Sequence, residues 1–137
     1  MNSVYETSFV VFPQDTNYMY PMVFGGKVMS EMDIAAAVCV RRALIGASAE
    51  YAVTTRATNI EFHVGAVVGD LVFLTARIVR VGTTSINIDV EGVRELKDGS
   101  KEKICNGSFT FVTVENPAAV GPDRKLQPKP HGLVLNA

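Results

Sequence analysis

The chain has 137 residues, 47% hydrophobic and 20% charged, with a formal net charge of −1; that is enough apolar material for one folded core and excludes a disordered polypeptide. No block of Lys or Arg stands anywhere in it, which argues against nucleic acid or an anionic membrane as the main partner. The longest strictly apolar run, Ile34 to Val40, is far short of the ~20 residues that cross a bilayer, and Met1 to Ser8 lacks the basic and apolar regions of a secretory signal, so a cytoplasmic location is expected.

Val4 to Phe12 alternates apolar and polar residues and reads as a first strand that stops at Pro13. Gln14 to Val23, with Asp15, Asn17 and Pro21, reads as a loop. Gly25 and Gly26 open a proline-free stretch, Lys27 to Leu44, rich in Met and Ala, which is the one good helix candidate, and Gly46 is its expected stop. Ala52 to Phe62, Leu71 to Val81, Ser85 to Glu91 and Lys103 to Val114 follow as strands. Turns are expected at Val64 to Gly69, at Gly82 and Thr83, and at Asp98-Gly99, where a two-residue hairpin would need positive φ at both central residues. Four of the six prolines lie in Asn116 to Ala137, so residues 1–115 are expected to form the domain and 116–137 a surface tail, ordered only against a neighbour. Cys39 and Cys105 fall in apolar helix and strand patterns and are expected to be buried free thiols.

Strand, helix and four strands with short connections describe an α+β domain in two layers, one helix on an antiparallel sheet. From Met32 to Val40 the helix is apolar nearly all round, so both of its sides need covering, by a curled sheet or by a second subunit. Asp33 is the one charge in that stretch, and it falls in a stripe with Met29, Ala36, Ala37 and Val40. A carboxylate there is costly unless it is paired, hydrogen-bonded or beside a wet cleft. Two readings remain open, an ion pair across a dimer interface and a functional acid facing a cleft. Gly25-Gly26 at the helix start suits close approach of a ligand to free first-turn amides, and equally suits a tight turn. His63 and His131 do not combine with the scattered cysteines into a zinc site, and no nucleophile elbow or phosphate loop is present.

Three segments resemble the acyl-CoA thioesterases of the hotdog fold, of the YciA and cytosolic (brain) types: Phe12-Pro13-Gln14-Asp15-Thr16-Asn17 with Phe24-Gly25-Gly26 through Asp33, then Val67-Val68-Gly69-Asp70, then Val81-Gly82-Thr83-Thr84-Ser85-Ile86. The resemblance spans about Phe9 to Val114. It implies a long central helix wrapped by a curved five-stranded antiparallel sheet. It also implies homodimers as the minimum unit, at times trimers of dimers, with active sites completed by both subunits. By the same resemblance Asp33 is the catalytic acid and Asn17 acts with the aspartate of the other subunit. Gly26, with Gly25, supplies amides to the thioester carbonyl, and Gly82, Thr83, Thr84 and Ser85 lie close to bound CoA. The family tends to carry Arg-Pro where this chain has Val64-Gly65, and a shorter loop where it has Tyr18 to Val23.

The implied reaction is hydrolysis of acyl-CoA to a carboxylic acid and CoA, with no cofactor beyond the CoA of the substrate and no metal. Asp33 would serve as general base or as nucleophile. Tyr18, Met19, Tyr20 and Met22 are apolar candidates for an acyl pocket, and Arg56, Arg80, Arg124 and Lys125 are candidates for CoA phosphates. The rival readings are a thioesterase for acyl chains on a carrier protein and a non-catalytic acyl-CoA sensor.

Overall fold

A computed structural model describes residues 1–119, 121–123 and 125–135. Strand β1 (Val4–Val10) leads through a single 3-10 turn (Pro13–Asp15) to helix α1 (Gly25–Ala43), and β2 (Tyr51–Phe62), β3 (Leu71–Val81), β4 (Ser85–Glu95) and β5 (Lys101–Val114) follow. The strands form one antiparallel sheet in the order β1-β3-β4-β5-β2. Five strands span about 19 Å at the usual inter-strand spacing, nearly twice the ~10 Å width of a helix, yet α1 touches all five. Only a sheet curved around the helix can do that, so the wrapped α+β arrangement expected from the resemblance is the one found.

Period-two patterning builds the inner face of the sheet. Val72, Leu74, Ala76 and Ile78 on β3, Ile86, Ile88 and Val90 on β4, and Phe109 and Phe111 on β5 are buried against the helix. The helix answers with Val28, Met32, Ala35, Cys39 and Ala43. Met32 is fully buried, a burial worth roughly 1.5–3 kcal/mol, and its tip lies where a Cβ on Gly107 would sit, 2.9 Å away. The run Ala35-Ala36-Ala37 combines high helix propensity with small volume, which lets α1 settle deep in the sheet. Past Leu44, Gly46 takes φ +78° and ends the helix as its position predicted.

The opposite flank of the helix is less covered. Asp33 is half-buried, Ala37 is exposed, and Met29 and Ile34 are 39% and 55% exposed. The stripe holding Asp33 is therefore split: Ala36 and Val40 are buried together with Val28, Met32, Ala35, Cys39 and Ala43, while Met29, Asp33 and Ala37 stay on the less covered flank of α1. From that flank Asp33 reaches Thr54 on β2, the edge strand beside β5.

Two expectations are corrected. At the β4–β5 hairpin only Gly99 has positive φ, +84°. Gly99 N–H donates to Leu96 C=O at 2.9 Å, making a type I turn followed by a left-handed glycine. Asp98 keeps an ordinary conformation because its carboxylate accepts from the Ser100 N–H and hydroxyl, at 2.9 and 2.6 Å. In the tail, the described residues Lys129 to Leu135 pack on their own chain. Lys129 N–H donates to Thr113 C=O, the Thr113 hydroxyl donates to Lys129 C=O, and His131 is 2% exposed. Leu133 N–H donates to His131 Nδ1 at 2.9 Å, which leaves the ring proton on Nε2, and Nε2–H donates to Ser85 C=O at 3.0 Å. Leu133 and Leu135 add to the core. Both cysteines are free and buried; burial pushes both thiols up, Cys105 to about 11.

Candidate active site

Phe24 is the N-cap of α1 and offers no side-chain acceptor. The first amide bonds of the helix run from Lys27 and Val28 to Phe24 C=O, at 3.1 and 3.4 Å. The Gly25 and Gly26 N–H groups have no backbone acceptor among the described residues. Uncapped first-turn amides backed by the helix dipole are poised for an anion or a polarised carbonyl oxygen. A Cβ on Gly26 would stand 2.9 Å from the Phe24 ring, so glycine is what lets that ring fold over the helix end.

The loop before the helix is held by Asp15. This buried carboxylate accepts from Phe12 N–H at 2.9 Å and lies 3.7 Å from Lys27 Nζ. Lys27 also pairs with Glu31 at 3.0 Å, and that hydrogen bond holds its ammonium above the ordinary lysine range. Phe24 N–H donates to Asp15 C=O at 3.0 Å, and Thr16 bridges Val23, so the loop closes on itself beside the helix start. Asn17 lies just beyond, exposed, its side-chain oxygen accepting from Met19 N–H at 3.0 Å. This small turn leaves the Asn17 amide hydrogens pointing at no partner among the described residues.

Two turns into α1, Asp33 Oδ1 accepts a 2.7 Å hydrogen bond from the Thr54 hydroxyl on β2. Among the described residues no Lys or Arg lies within ion-pair distance of Asp33. Thr54 is the residue sequence reasoning missed. One threonine among several in Tyr51–Phe62 carries no local signal, and its link to the helix spans 21 positions.

The remaining predicted residues are spread out. The Gly82-Thr83-Thr84-Ser85 turn closes with Gly82 N–H on Ser85 C=O at 2.9 Å and is braced by Thr113, whose N–H reaches Thr84 C=O at 2.8 Å, and by the tail, whose His131 N–H reaches Thr83 C=O at 3.2 Å. It sits where β5 ends, whereas Gly25 faces Phe62 near the start of β5. One chain does not bring the two together. Arg56, Thr110, Asn87 and Arg80 form one row across the sheet, opposite in pleat to the buried Phe109, Phe111, Ile86 and Ile88, so Arg56 and Arg80 lie on the outer face. Lys125 is exposed, and Arg124 falls outside the described residues. Tyr18, Met19 and Tyr20 project from the loop tip, up to fully exposed, whereas Met22 lines a cavity.

The Val64-Gly65 loop is held from β4 by Arg94. Arg94 Nη1 lies 3.4 Å from Gly65 C=O and 3.3 Å from Asp70, and Nη2 lies 3.2 Å from Glu102. Among the described residues no group of three or more His, Cys, Asp or Glu side chains is arranged to hold a metal ion. None of the described helices is long and apolar enough to cross a membrane.

The family model of the thioesterase superfamily matches residues 20–98. An uncharacterized acyl-CoA thioester hydrolase of Zymomonas mobilis is 40% identical over 108 residues, 77% of this chain and 68% of that protein. The acyl-CoA thioester hydrolase YciA of Salmonella typhimurium is 35% identical over 125 residues, 88% of this chain and 86% of that one. The hexameric thioesterase from Yersinia pestis superposes with a TM-score of 0.74 at 28% identity, covering 92% of this chain and 94% of that chain.

Proposed function

The chain belongs to the thioesterase superfamily, and from that premise we propose that it hydrolyses acyl-CoA thioesters with Asp33 as general base. The observation that carries this reading is the state of Asp33, a carboxylate on a central helix, half-open, free of any cation among the described residues, and aimed by the Thr54 hydroxyl through one oxygen while the other stays available.

The thioester oxygen rests on the Gly26 and Gly25 amides. Asp33 takes a proton from water as the resulting hydroxide adds to the carbonyl carbon. The oxyanion forms against the amides, and its collapse breaks the C–S bond and expels CoA thiolate, which takes the proton held by Asp33 as the carboxylic acid is released. Asn17 donates to the water or to the carbonyl. Gly26 and Asp33 are seven residues apart on one helix, about 10 Å along its axis, whereas a base and its water must stand within hydrogen-bond reach of the reacting carbon. A carbonyl on the Gly26 amide of one chain is therefore served by Asp33 of another, and a homodimer laid along the open β2 edge is the minimum active unit. The hexameric relative fits further assembly, as a trimer of such dimers. Within that assembly we assign the nucleotide end of CoA to the Gly82–Ser85 turn, with Arg56 as a candidate for its phosphates, and the cytoplasm as the site of action. Free CoA competes with substrate on this reading, which a carrier-protein thioesterase would not show.

Thiol release from acyl-CoAs between acetyl and palmitoyl, measured on wild type and on Asp33→Asn, tests the proposal. General-base help is worth about 10²–10⁴-fold, so Asp33→Asn loses at least about a hundredfold in kcat with its oligomer intact. Full activity in that variant ends the proposal, and a wild type that binds but cleaves no acyl-CoA indicates a sensor.

A further inference from the structure

Beside the first turn of α1 lies a cavity of about 300 Å³. Met22, Val28, Phe62, Val64, Ile104 and Cys105 give it an apolar wall, and Gly25 lies at its edge. It thus adjoins the start of the helix, where the Gly25 and Gly26 amides lie. Its floor is made by an irregularity in β5. Gly92 pairs with Cys105 and Val93 with Lys103, so Ile104 is an extra residue on its strand. The bulge turns two consecutive side chains inward, and Ile104 and Cys105 are both buried, at 2% and 0%. His63 N–H ties the bulge to β2 through Ile104 C=O at 2.7 Å. The mouth is built differently. Met22 folds over Gly65, where a Cβ would stand 2.6 Å from its terminal methyl, and Phe62 covers Gly25. Both side chains are well exposed, at 39% and 50%. The cavity therefore has an exposed rim and a buried floor.

Resting on the acyl-CoA reading, we propose that this cavity is the acyl subsite and that the Ile104–Cys105 bulge sets the chain length accepted. The carbonyl sits on the Gly25 and Gly26 amides and the alkyl chain runs past Val28 to the floor. At about 30 Å³ per water-sized group, the space corresponds to about ten methylenes, and the buried Ile104 and Cys105 floor stops a chain as long as palmitoyl from running further inward. Cys105 acts here through its size. Its neighbour Gly92 leaves no slack on the far side, since a Cβ there would stand 2.4 Å from Cys105 Sγ, so any added bulk grows into the cavity.

The test is the ratio of kcat/KM for octanoyl-CoA to that for acetyl-CoA, which a general loss of fold leaves unmoved. In wild type the ratio exceeds one and palmitoyl-CoA is cleaved at least tenfold less efficiently than octanoyl-CoA. Cys105→Leu lowers the ratio at least tenfold, and Ile104→Ala moves the optimum to longer chains by two or more carbons. A ratio within threefold of wild type in both variants overturns the proposal, while a wild type that cleaves no acyl-CoA overturns the underlying reading instead. A measurement on unmodified protein decides if neither variant folds. The S-octyl thioether of CoA shifts the methyl NMR signals of Met22 and Ile104 and free CoA does not. Signals that answer only to dilution would mean that a second copy fills the cavity, and would overturn the assignment.

Discussion

Replacing Thr54 by valine keeps the shape of the side chain and removes the one hydroxyl that touches Asp33. The 2.7 Å bond it deletes ends on a carboxylate, and hydrogen bonds to charged groups contribute about 1.5–3 kcal/mol. At 1.36 kcal/mol per factor of ten, that is about 10- to 150-fold in rate if the bond holds the base in its working position. In the single chain Thr54 is exposed and Asp33 half-buried; where water still reaches this pair in the dimer it partly replaces the lost donor, and the lower part of that range applies, about 10- to 30-fold in kcat. Stability should change by less than about 1 kcal/mol for the same reason, since neither oxygen is left sealed from solvent. Thiol release at saturating acyl-CoA measures kcat, with KM from the full curve. KM is expected to move less than about threefold, because the bond positions the base and does not hold substrate. Thr54→Ser, which restores the hydroxyl, is expected to recover kcat to within about threefold of wild type. Wild-type kcat in Thr54→Val, or a raised KM with kcat unchanged, would refute the assignment of Thr54 as the residue that positions Asp33.

Three further outcomes are expected. The Cys105 thiol is raised from 9.0 to about 11 by burial, so the unfolded chain ionises first as pH rises. The stability this contributes is complete below pH 9 and disappears toward pH 11, about 2–3 kcal/mol in all; urea midpoints across that range should fall more steeply for wild type than for Cys105→Ala. Arg94→Met leaves Asp70 and Glu102 without their cation and Gly65 C=O without its donor, a loss of about 1–3 kcal/mol, read as a lower urea midpoint at unchanged m-value. Truncation after Asn116 removes His131, Leu133 and Leu135 from Ser85 and the core. At roughly 1.5–3 kcal/mol per large buried apolar side chain, it should cost at least about 2 kcal/mol, and a truncated chain as stable as the full one would show that the tail merely rests on the surface.

Much of this protein can be read from local patterns. Alternation in Leu71–Val81 and Ser85–Glu91 marks strands because side chains on a strand change face at every residue, and the strands are found there. The Met- and Ala-rich stretch after Gly26 marks the helix through propensity, with Gly46 as its stop. Asp33 is conspicuous because a lone acid among apolar neighbours demands a reason. What the patterns cannot carry is the identity of partners distant in the chain. The Thr54 hydroxyl on Asp33, the Arg94 guanidinium under Gly65 and the His131 ring on Ser85 join residues 21, 29 and 46 positions apart. Each is chosen by how the sheet closes around the helix, and nothing in the neighbouring sequence encodes it. The hairpin at Gly99 and the bulge at Ile104 belong with them, for strand register was settled across the whole ladder, and the turn and the extra residue took the geometry that this register left.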